Sequence, residues 1–187
     1  TLFHTRAGRG EKLTAAEENA VAMYELTQEI LMAAGLPAYE VSNHARGGEE
    51  SRHNLCYWHY DDYIGIGPGA HGRYVAGDNG RFATENHRAP EVWMKRVREQ
   101  GHGLRAGNIL DDETSMREAL MMGLRLADGI DRAAWRRKFS MEIMDFLPRD
   151  KVLRLAQEGY VICDSDKLCA TPEGMKRLNA VLGYLEN

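Results

Sequence analysis

Cysteine is scarce in this sequence, with three residues among 187, at positions 56, 163 and 169. These positions form no C-x-x-C pair and no other spacing that is typical of a metal site. A low and odd cysteine count is typical of proteins from a reducing compartment rather than of secreted, disulfide-rich ones. The scarcity therefore favours a cytoplasmic location.

Cys163 and Cys169 lie on either side of a predicted two-residue hairpin turn at 165–166. Such a turn pairs Cys163 with Leu168 and Cys169 with Ile162. Because successive strand residues point to opposite faces, the two sulfur atoms are expected on opposite sides of the hairpin. We therefore predict that they form no disulfide.

Long apolar runs are also missing. None approaches the roughly 20 residues that a membrane-spanning helix requires, and the opening segment, Thr1–Gly8, lacks the apolar core of a signal peptide. We expect no membrane span. The sequence does not begin with Met, which leaves open that its N-terminus is processed, trimmed, or the cut edge of a longer protein.

An excess of positive charge is absent as well. The chain has 24 basic and 28 acidic residues, which gives a net charge of -4. Nucleic-acid affinity comes mostly from cationic side chains, so nucleic acid is not the expected partner. The remaining composition, 43% hydrophobic and 28% charged, is that of an ordinary globular protein with one domain or two small ones.

What the sequence does have is one unusual run, Ser51–Gly72, with three histidines and four glycines. Within it, Tyr63–Ile66 predicts a short strand that ends in a glycine-rich turn. The G-x-G-x-x-G spacing from Gly67 to Gly72 matches a dinucleotide fingerprint, but the residues that follow do not predict the helix that the fingerprint requires. Two interpretations stay open on the residues alone: a strand end whose backbone lines a cofactor, as at the rim of an α/β barrel, or a tight turn that needs positive φ.

The segment His53–Trp58 places an imidazole among aromatic residues. A neutral imidazole can ligate a metal, and flat side chains nearby can hold a planar ring. The structural alternative, a hydrogen-bonded histidine in a polar and aromatic run, is the commoner case. Cys56 is either a soft axial ligand or inert packing, and His44 and His59 are weaker candidates of the same kind.

The first half of the chain predicts alternating helices and strands. A capping box at Thr14–Glu17 starts a helix that runs to about Ala34, and the strand Ala38–Ser42 follows it, which favours a parallel sheet. Apolar residues recur on one face of this helix, at Met23, Leu26, Ile30 and Ala34. The later elements are a hairpin, a helix and a linker, at 73–75 with 81–84, at 90–99 and at 101–107.

The second half predicts a helical domain with a small β wing. Asp111 or Asp112 caps a helix to about Ala127, and Asp131 caps another. The remaining elements are a helix, a hairpin and a closing helix, at 150–158, at 160–163 with 168–171, and at 172–185. This order is winged-helix-like. The basic residues of its helices resemble those of a recognition helix, but the carboxylates near them favour a solvated face instead. These basic residues are Arg132, Arg136, Arg137, Lys138, Arg149, Lys151 and Arg154.

Four motifs together resemble the oxygen-independent coproporphyrinogen III oxidase family of radical SAM proteins, and most closely its heme-chaperone branch. They stand at 39–43, 52–58, 63–72 and 124–130, and the similarity continues through 158–161 and 168–174. The resemblance implies an α/β fold. It would consist of the C-terminal portion of a partial radical SAM barrel at 1–105 and a mainly helical, winged-helix-like domain at 106–187.

The resemblance also implies cofactors and site residues. In the family, a C-x-x-x-C-x-x-C motif holds a [4Fe-4S] cluster that acts on S-adenosylmethionine (SAM). That motif is absent here, so we expect this chain to be the C-terminal half of such a protein, to lack the N-terminal half of the barrel, and to bind no cluster alone. By the same resemblance, His53 is the heme iron ligand, and Asn54, Tyr57 and Trp58 complete its motif. The loop over SAM, acting through backbone groups, corresponds to Gly67, Gly69, Ala70 and His71.

Three functions are carried forward from the sequence. The first is heme binding and delivery to a client protein, with heme or porphyrin as the ligand. The second is oxidative decarboxylation of coproporphyrinogen III to protoporphyrinogen IX, for which this chain alone should be inactive. The third is a non-catalytic winged-helix module that binds a protein or nucleic acid.

Overall fold

A computed structural model describes residues 2–14, 17–77 and 80–186. It divides into two compact units, with the boundary between Glu50 and Ser51. The predicted division at 105/106 stays a prediction.

The N-terminal unit contains two helices, α1 (Leu2–Gly8) and α2 (Glu17–Ala33). The prediction of α2 is confirmed, and Gly35 follows it with a φ of 75°, while positions 15 and 16 of the predicted capping box lie outside the described residues. The apolar face of α2 does not form a core, because Met23, Leu26 and Ile30 are each more than half exposed. Helical periodicity thus predicted the helix but not what covers it.

The strand predicted at 38–42 is wrong. These residues form no regular strand: an isolated antiparallel bridge joins Ala38 to His44, and the residues between them form a turn around the Glu40 carboxylate. Its Oε1 accepts hydrogen bonds from the Ser42 N–H (2.9 Å) and the Asn43 amide (2.6 Å). The strand that would have begun a parallel sheet is therefore replaced by a loop, and the strand pairs in the described part of the chain are antiparallel.

The C-terminal unit opens with a short helix and a three-stranded antiparallel sheet of order β1-β2-β3. Its elements are α3 (Arg52–Trp58), β1 (His71–Val75), β2 (Arg81–Asn86), α4 (Pro90–Gln100) and β3 (Leu104–Leu110). The predicted hairpin and the helix after Pro90 are confirmed, and Gly101 ends that helix with a φ of 79°. Positions 78 and 79 of the hairpin turn lie outside the described residues.

Two predictions in this region are wrong. Residues 63–66 form no regular strand, because only Tyr63 bridges to Arg73. The predicted linker at 101–107 is mostly β3, which pairs along the length of β2. Its three glycines at 101, 103 and 107 are typical of a flexible segment, whereas a Cβ on Gly103 would collide with the Trp93 ring, so Gly103 allows close packing.

The remainder of the chain forms a helical layer around a second antiparallel sheet of order β4-β6-β5. Its elements are α5 (Asp112–Gly123), β4 (Ile130–Asp131), α6 (Arg132–Phe139), α7 (Ile143–Phe146), α8 (Arg149–Gln157), β5 (Val161–Cys163), β6 (Lys167–Ala170), α9 (Pro172–Lys176) and α10 (Leu178–Glu186). The caps at Asp111 and Asp131 are confirmed, since their carboxylates accept hydrogen bonds from the N–H groups of Thr114 and Ala134. Helix α5 ends at Gly123, before the predicted Ala127, and the predicted closing helix is two helices.

The hairpin β5–β6 has the predicted register. Cys163 pairs with Leu168, and Cys169 pairs with Ile162. All three cysteines of the chain are free thiols, and this register places Cys163 and Cys169 on opposite faces of the hairpin. The core of this layer is made of fully buried aliphatic side chains: Leu120, Leu124, Ile143, Val152 and Leu168.

Candidate functional site

Helix α3 carries the predicted His53–Trp58 motif. Its start is fixed by Ser51, whose hydroxyl accepts a hydrogen bond from the Asn54 N–H (3.3 Å), a standard N-terminal cap. At its other end, the His59 N–H donates to the Leu55 carbonyl (2.8 Å). The motif therefore forms about two helical turns, and its side chains are distributed around a helix rather than along a strand.

His53 and Tyr57 meet on one face of α3. They are four residues apart, so their side chains are neighbours on the helix surface, and their ring centroids lie 4.8 Å apart with the planes nearly perpendicular. Tyr57 in turn packs edge-on against Tyr63 at 4.5 Å. The imidazole is exposed but held on one side by an aromatic pair, which leaves its other side accessible to a ligand.

Trp58 faces a different direction from His53. A separation of five residues corresponds to about 140° around a helix. The guanidinium of Arg125 lies over the Trp58 ring, 4.8 Å from its centroid, and Asn54 contributes its N–H to the cap. The structure thus brings together His53 and Tyr57 of the predicted motif, and it turns Trp58 towards the C-terminal helices.

A sharp turn follows α3 and is anchored by buried charge. Tyr60 has a φ of 55° and is 3% exposed, with the Arg81 guanidinium 4.5 Å from its ring centroid. Its hydroxyl donates to the Glu118 carboxylate (2.6 Å), which also accepts two hydrogen bonds of 2.9 Å from Arg73. This cluster connects the end of α3 to β1, β2 and α5.

Lys138 of α6 binds the C-terminal end of α3. Its ammonium donates to the carbonyls of His59 (2.6 Å) and Tyr60 (2.7 Å) and to the Asp61 carboxylate (3.1 Å). A cation at this end of a helix is favourable, because the last carbonyls lack helical partners. Burial lowers the pKa of Lys138, while the hydrogen bond with Asp61 opposes that shift.

Sequence reasoning missed Glu118, Lys138 and Arg73 as site residues. Glu118 is 58 positions from Tyr60, and Lys138 is 79 positions from His59. Contacts at such separations leave no periodic or spacing signal in a single sequence. Only the fold brings these residues to α3.

The half-buried Glu118 carboxylate predicts that acid weakens the contacts that hold the end of α3. Burial raises the pKa of Glu118, but hydrogen bonds from Arg73 and Tyr60 outweigh that effect and leave the pKa below its ordinary value of 4.5. A carboxyl with a lower pKa in the folded state adds stability that is complete above its unfolded pKa and is lost as pH falls through its folded pKa. We expect the free energy of unfolding to fall with acidification below about pH 4.5 more steeply in the native protein than in Glu118→Gln. Urea unfolding across this pH range measures both slopes, and equal slopes would contradict the assignment.

The glycine turn before β1 is held by the protein's own groups. Gly67 and Gly69 have φ values of 103° and 71°, the region that favours glycine. The Asn86 side-chain amide donates to the Gly67 carbonyl (2.9 Å), and the N–H groups of Gly69 and Ala70 donate to main-chain carbonyls at 2.9 and 3.3 Å. The tight-turn interpretation thus accounts for both glycines, and the contact of Gly67, Gly69, Ala70 and the exposed His71 with SAM stays a prediction.

The described residues hold no group of three or more histidine, cysteine or acidic side chains that could bind a metal ion. The three free cysteines are separated along the chain, so the donors of this chain do not fit a [4Fe-4S] cluster. A heme iron needs only an axial donor from the protein, and the exposed imidazole of His53 fits that requirement.

The basic residues of the C-terminal helices are mostly paired with carboxylates. Arg136 bonds to Glu142 (2.9 Å), and Arg154 bonds to Glu158 (3.2 Å). The other pairs of this kind are Arg132 with Glu142, Arg149 with Asp145, and Lys138 with Asp61. This pairing agrees with a solvated face and does not favour the nucleic-acid interpretation.

In the described part of the chain, no helix has the length and apolarity to cross a membrane.

The fold is shared with a radical SAM enzyme. The solved structure of coproporphyrinogen III oxidase (HemN) from Escherichia coli matches 92% of this chain and 42% of that chain, with a TM-score of 0.65 and 17% identity. In sequence, residues 110–176 match the HemN C-terminal domain family. The chain belongs to the coproporphyrinogen oxidase and HemW family of radical SAM proteins, as the four motifs predicted.

Two curated relatives illustrate this membership. The mitochondrial radical S-adenosyl methionine domain-containing protein 1 of Bos taurus is 36% identical over 187 residues, which cover 97% of this chain and 42% of the relative. The heme chaperone HemW of Bacillus subtilis is 29% identical over 184 residues, which cover 98% of this chain and 47% of the relative. The chain thus spans less than half the length of these relatives. The cytoplasmic location, the partial barrel and the winged-helix assignment stay predictions.

Proposed function

We propose that this chain binds heme through His53 and passes it to a client protein. The observation that carries the proposal is the exposed imidazole of His53, held against Tyr57 on a helix that is anchored at both ends. A relative with 29% identity over nearly the whole chain is named a heme chaperone, which supports the same function. The client protein is unidentified.

Two side chains of α3 would hold the heme, one as the iron ligand and the other by orienting that ligand. His53 would ligate the iron, and the edge of its ring against Tyr57 would limit the orientations that the imidazole takes. The Ser51 cap and the Lys138 ammonium keep the helix itself fixed. When bound, heme supplies its own redox chemistry, and the protein supplies ligation and orientation.

Delivery to a client follows from the exposure of the site. An imidazole on the surface of a seven-residue helix can be approached by another protein's ligand without opening a core. Heme held through one protein ligand on an open surface can exchange by ligand replacement. This arrangement suits transfer better than permanent storage.

The other two functions have weaker support. Decarboxylation by this family needs a cluster that cleaves SAM reductively, and this chain has no cysteine motif for that cluster. The residues of this chain therefore support binding of a porphyrin better than its decarboxylation. The contact of the Gly67–His71 turn with SAM remains part of this proposal for a protein that carries the cluster. The winged-helix binding module gains nothing from the C-terminal basic residues, since most are paired.

Titration with hemin tests the proposed function. We expect saturable binding of one heme per chain with a shifted Soret band, because the proposal assigns the axial ligand to the single imidazole of His53. Absorbance titration gives the stoichiometry and the Kd, and size-exclusion chromatography of the mixture shows whether heme travels with the protein. Non-saturable uptake, or heme that separates from the protein on the column, would contradict the proposal.

A further inference from the structure

Strand β3 forms a free edge of the first three-stranded sheet. It pairs with β2 on one side, and no other strand of the described residues pairs with its other side. All of its residues except Leu110 are exposed, and Ile109 is 60% exposed. A free edge of this kind presents main-chain N–H and carbonyl groups that can pair with a further strand.

The features that discourage such pairing are confined to one end of β3. The register with β2 shifts between Glu85 and Asn86, opposite Arg105, and Arg105 carries the only charge of the strand. Bulges and charged side chains both protect edge strands from further pairing. The segment 106–110 contains neither a charge nor a proline and keeps a regular register with β2. This segment is therefore unprotected.

The hydrogen bonds of the sheet indicate which main-chain groups of β3 point to the free edge. Arg73 of β1 exchanges two main-chain hydrogen bonds, of 2.6 and 2.9 Å, with the segment that precedes β1, so its groups point away from β2. Because hydrogen-bonded pairs alternate along antiparallel strands, the partner of Arg73 on β2, Ala83, directs its groups towards Asn108. The two neighbours of Asn108, Gly107 and Ile109, therefore direct theirs to the free edge.

Two copies of this edge are complementary when they pair antiparallel about Asn108. In that register, Gly107 of each copy lies opposite Ile109 of the other. The residues whose main-chain groups point to the free edge then form the hydrogen-bonded pairs, with roughly four bonds in all. The exposed Ile109 side chain also covers a glycine, which has no side chain to shield its own backbone. Ala106 and Leu110 lie opposite each other in the same register.

The charges at the ends of this pairing are complementary as well. The register about Asn108 places Arg105 of each copy near Asp111 of the other, and opposite charges on neighbouring strands are favourable. Arg105 bonds to Glu85 of its own sheet (2.9 Å), but its side chain is 52% exposed, so N–H groups remain for a second acceptor. The uncharged segment thus matches itself and its flanks match each other, which favours a second copy of this chain as the occupant.

We propose that β3 is the interface of a homodimer, in which the two β3 strands join two three-stranded sheets into one continuous sheet. The interface uses neither His53 nor heme, so the dimer forms without the ligand. The paired segment is short, and interfaces of small area are weak. The dimer is therefore in equilibrium with the monomer at ordinary protein concentrations.

Sedimentation equilibrium of the full chain without heme tests the dimer. We expect a monomer–dimer equilibrium with a Kd of roughly 10–100 μM, because edge contacts of this size are weak. A monomer at every concentration up to about 1 mM, well above the Kd of even a weak specific interface, would overturn the proposal.

Ile109→Pro tests the main-chain contacts. The substitution removes an N–H that points to the free edge and keeps the bonds between β3 and β2, and edge strands accept proline at such positions. It should abolish the dimer and leave the circular dichroism spectrum unchanged. If this variant does not fold, the substitutions of Asn108 decide the matter alone.

Charge at the two-fold axis tests the register. Asn108→Lys places two ammonium groups opposite each other and Asn108→Asp places two carboxylates, so each variant alone should raise the Kd at least about threefold. An equimolar mixture of the two variants should associate more tightly than either one alone, because a lysine then faces an aspartate. Gln157→Lys changes the net charge equally at an exposed position of α8 and should keep the native Kd.

The outcomes separate this interface from other surfaces and from the proposed function. Self-association that is unchanged in both Asn108 variants would overturn the β3 interface. Self-association that is lost in Leu26→Glu would also overturn it and would assign the contact to the exposed apolar face of α2. His53→Ala should keep the native Kd for self-association, so a failure of heme binding leaves this inference standing.

Discussion

Replacing His53 with alanine is expected to raise the Kd for hemin by at least about tenfold and to shift the Soret band. The imidazole is the exposed nitrogen donor that α3 presents beside Tyr57, and an axial ligand is the main bond between a protein and heme iron. The side chain is on the surface, so its removal leaves no cavity and the fold should be unaffected. Absorbance titration of the native protein and the variant under identical conditions gives the ratio.

The matched control for this prediction is His102→Ala. His102 is also exposed and lies in the loop after α4, outside the helix that carries the motif. Its variant should bind hemin with the native Kd and the native spectrum. Equal losses in the two variants would mean that hemin associates with surface histidines in general, and the assignment of His53 would be wrong.

Replacing Glu118 with alanine is expected to lower the free energy of unfolding by about 3 kcal/mol. The substitution leaves the Arg73 guanidinium and the Tyr60 hydroxyl without their acceptor, and an uncompensated buried charge is costly. The side chains of the pair are only 19% and 23% exposed, so solvent compensates little. Urea or thermal unfolding measures the loss.

Glu113→Ala on the same helix is the matched control. Glu113 pairs with Arg117 one turn away, but its side chain is 67% exposed, and exposed pairs contribute less than about 1 kcal/mol. The expected order is therefore a large loss for position 118 and a small one for position 113. Similar losses at both positions would show that the contacts of Glu118 with Tyr60 and Arg73 do not hold the end of α3.

Local signals in the sequence predicted the helical elements well. Asp131 predicted the start of α6, and Pro90 with Gly101 predicted both ends of α4, because caps and breakers act within a few residues. The register of the β5–β6 hairpin followed from its short turn. These features depend on neighbours in the chain, which a single sequence contains.

Contacts between distant segments were beyond the sequence. The glycine-rich stretch 101–107 predicts a linker, whereas most of it belongs to β3, whose structure depends on pairing with β2. The apolar face of α2 is exposed, although its periodicity predicted a buried face. Periodicity indicates which side chains share a face, but it does not indicate which segment packs against them.

The same limit applies to the candidate site. The aromatic neighbours of His53 made it a candidate, and the family resemblance assigned it to heme. Its contact with Tyr57 becomes evident once residues 52–58 are known to be helical. The residues that fix this helix in place, Glu118 and Lys138, come from α5 and α6. Their participation required the tertiary structure.

Resonance Raman spectroscopy of the ferrous heme complex tests ligation by His53 most directly, because the iron–imidazole stretching band reports the axial bond itself. We predict that the band is present in the native protein, absent in His53→Gly, and restored when free imidazole is added to that variant. A band of unchanged position and intensity in His53→Gly without added imidazole would contradict ligation by His53.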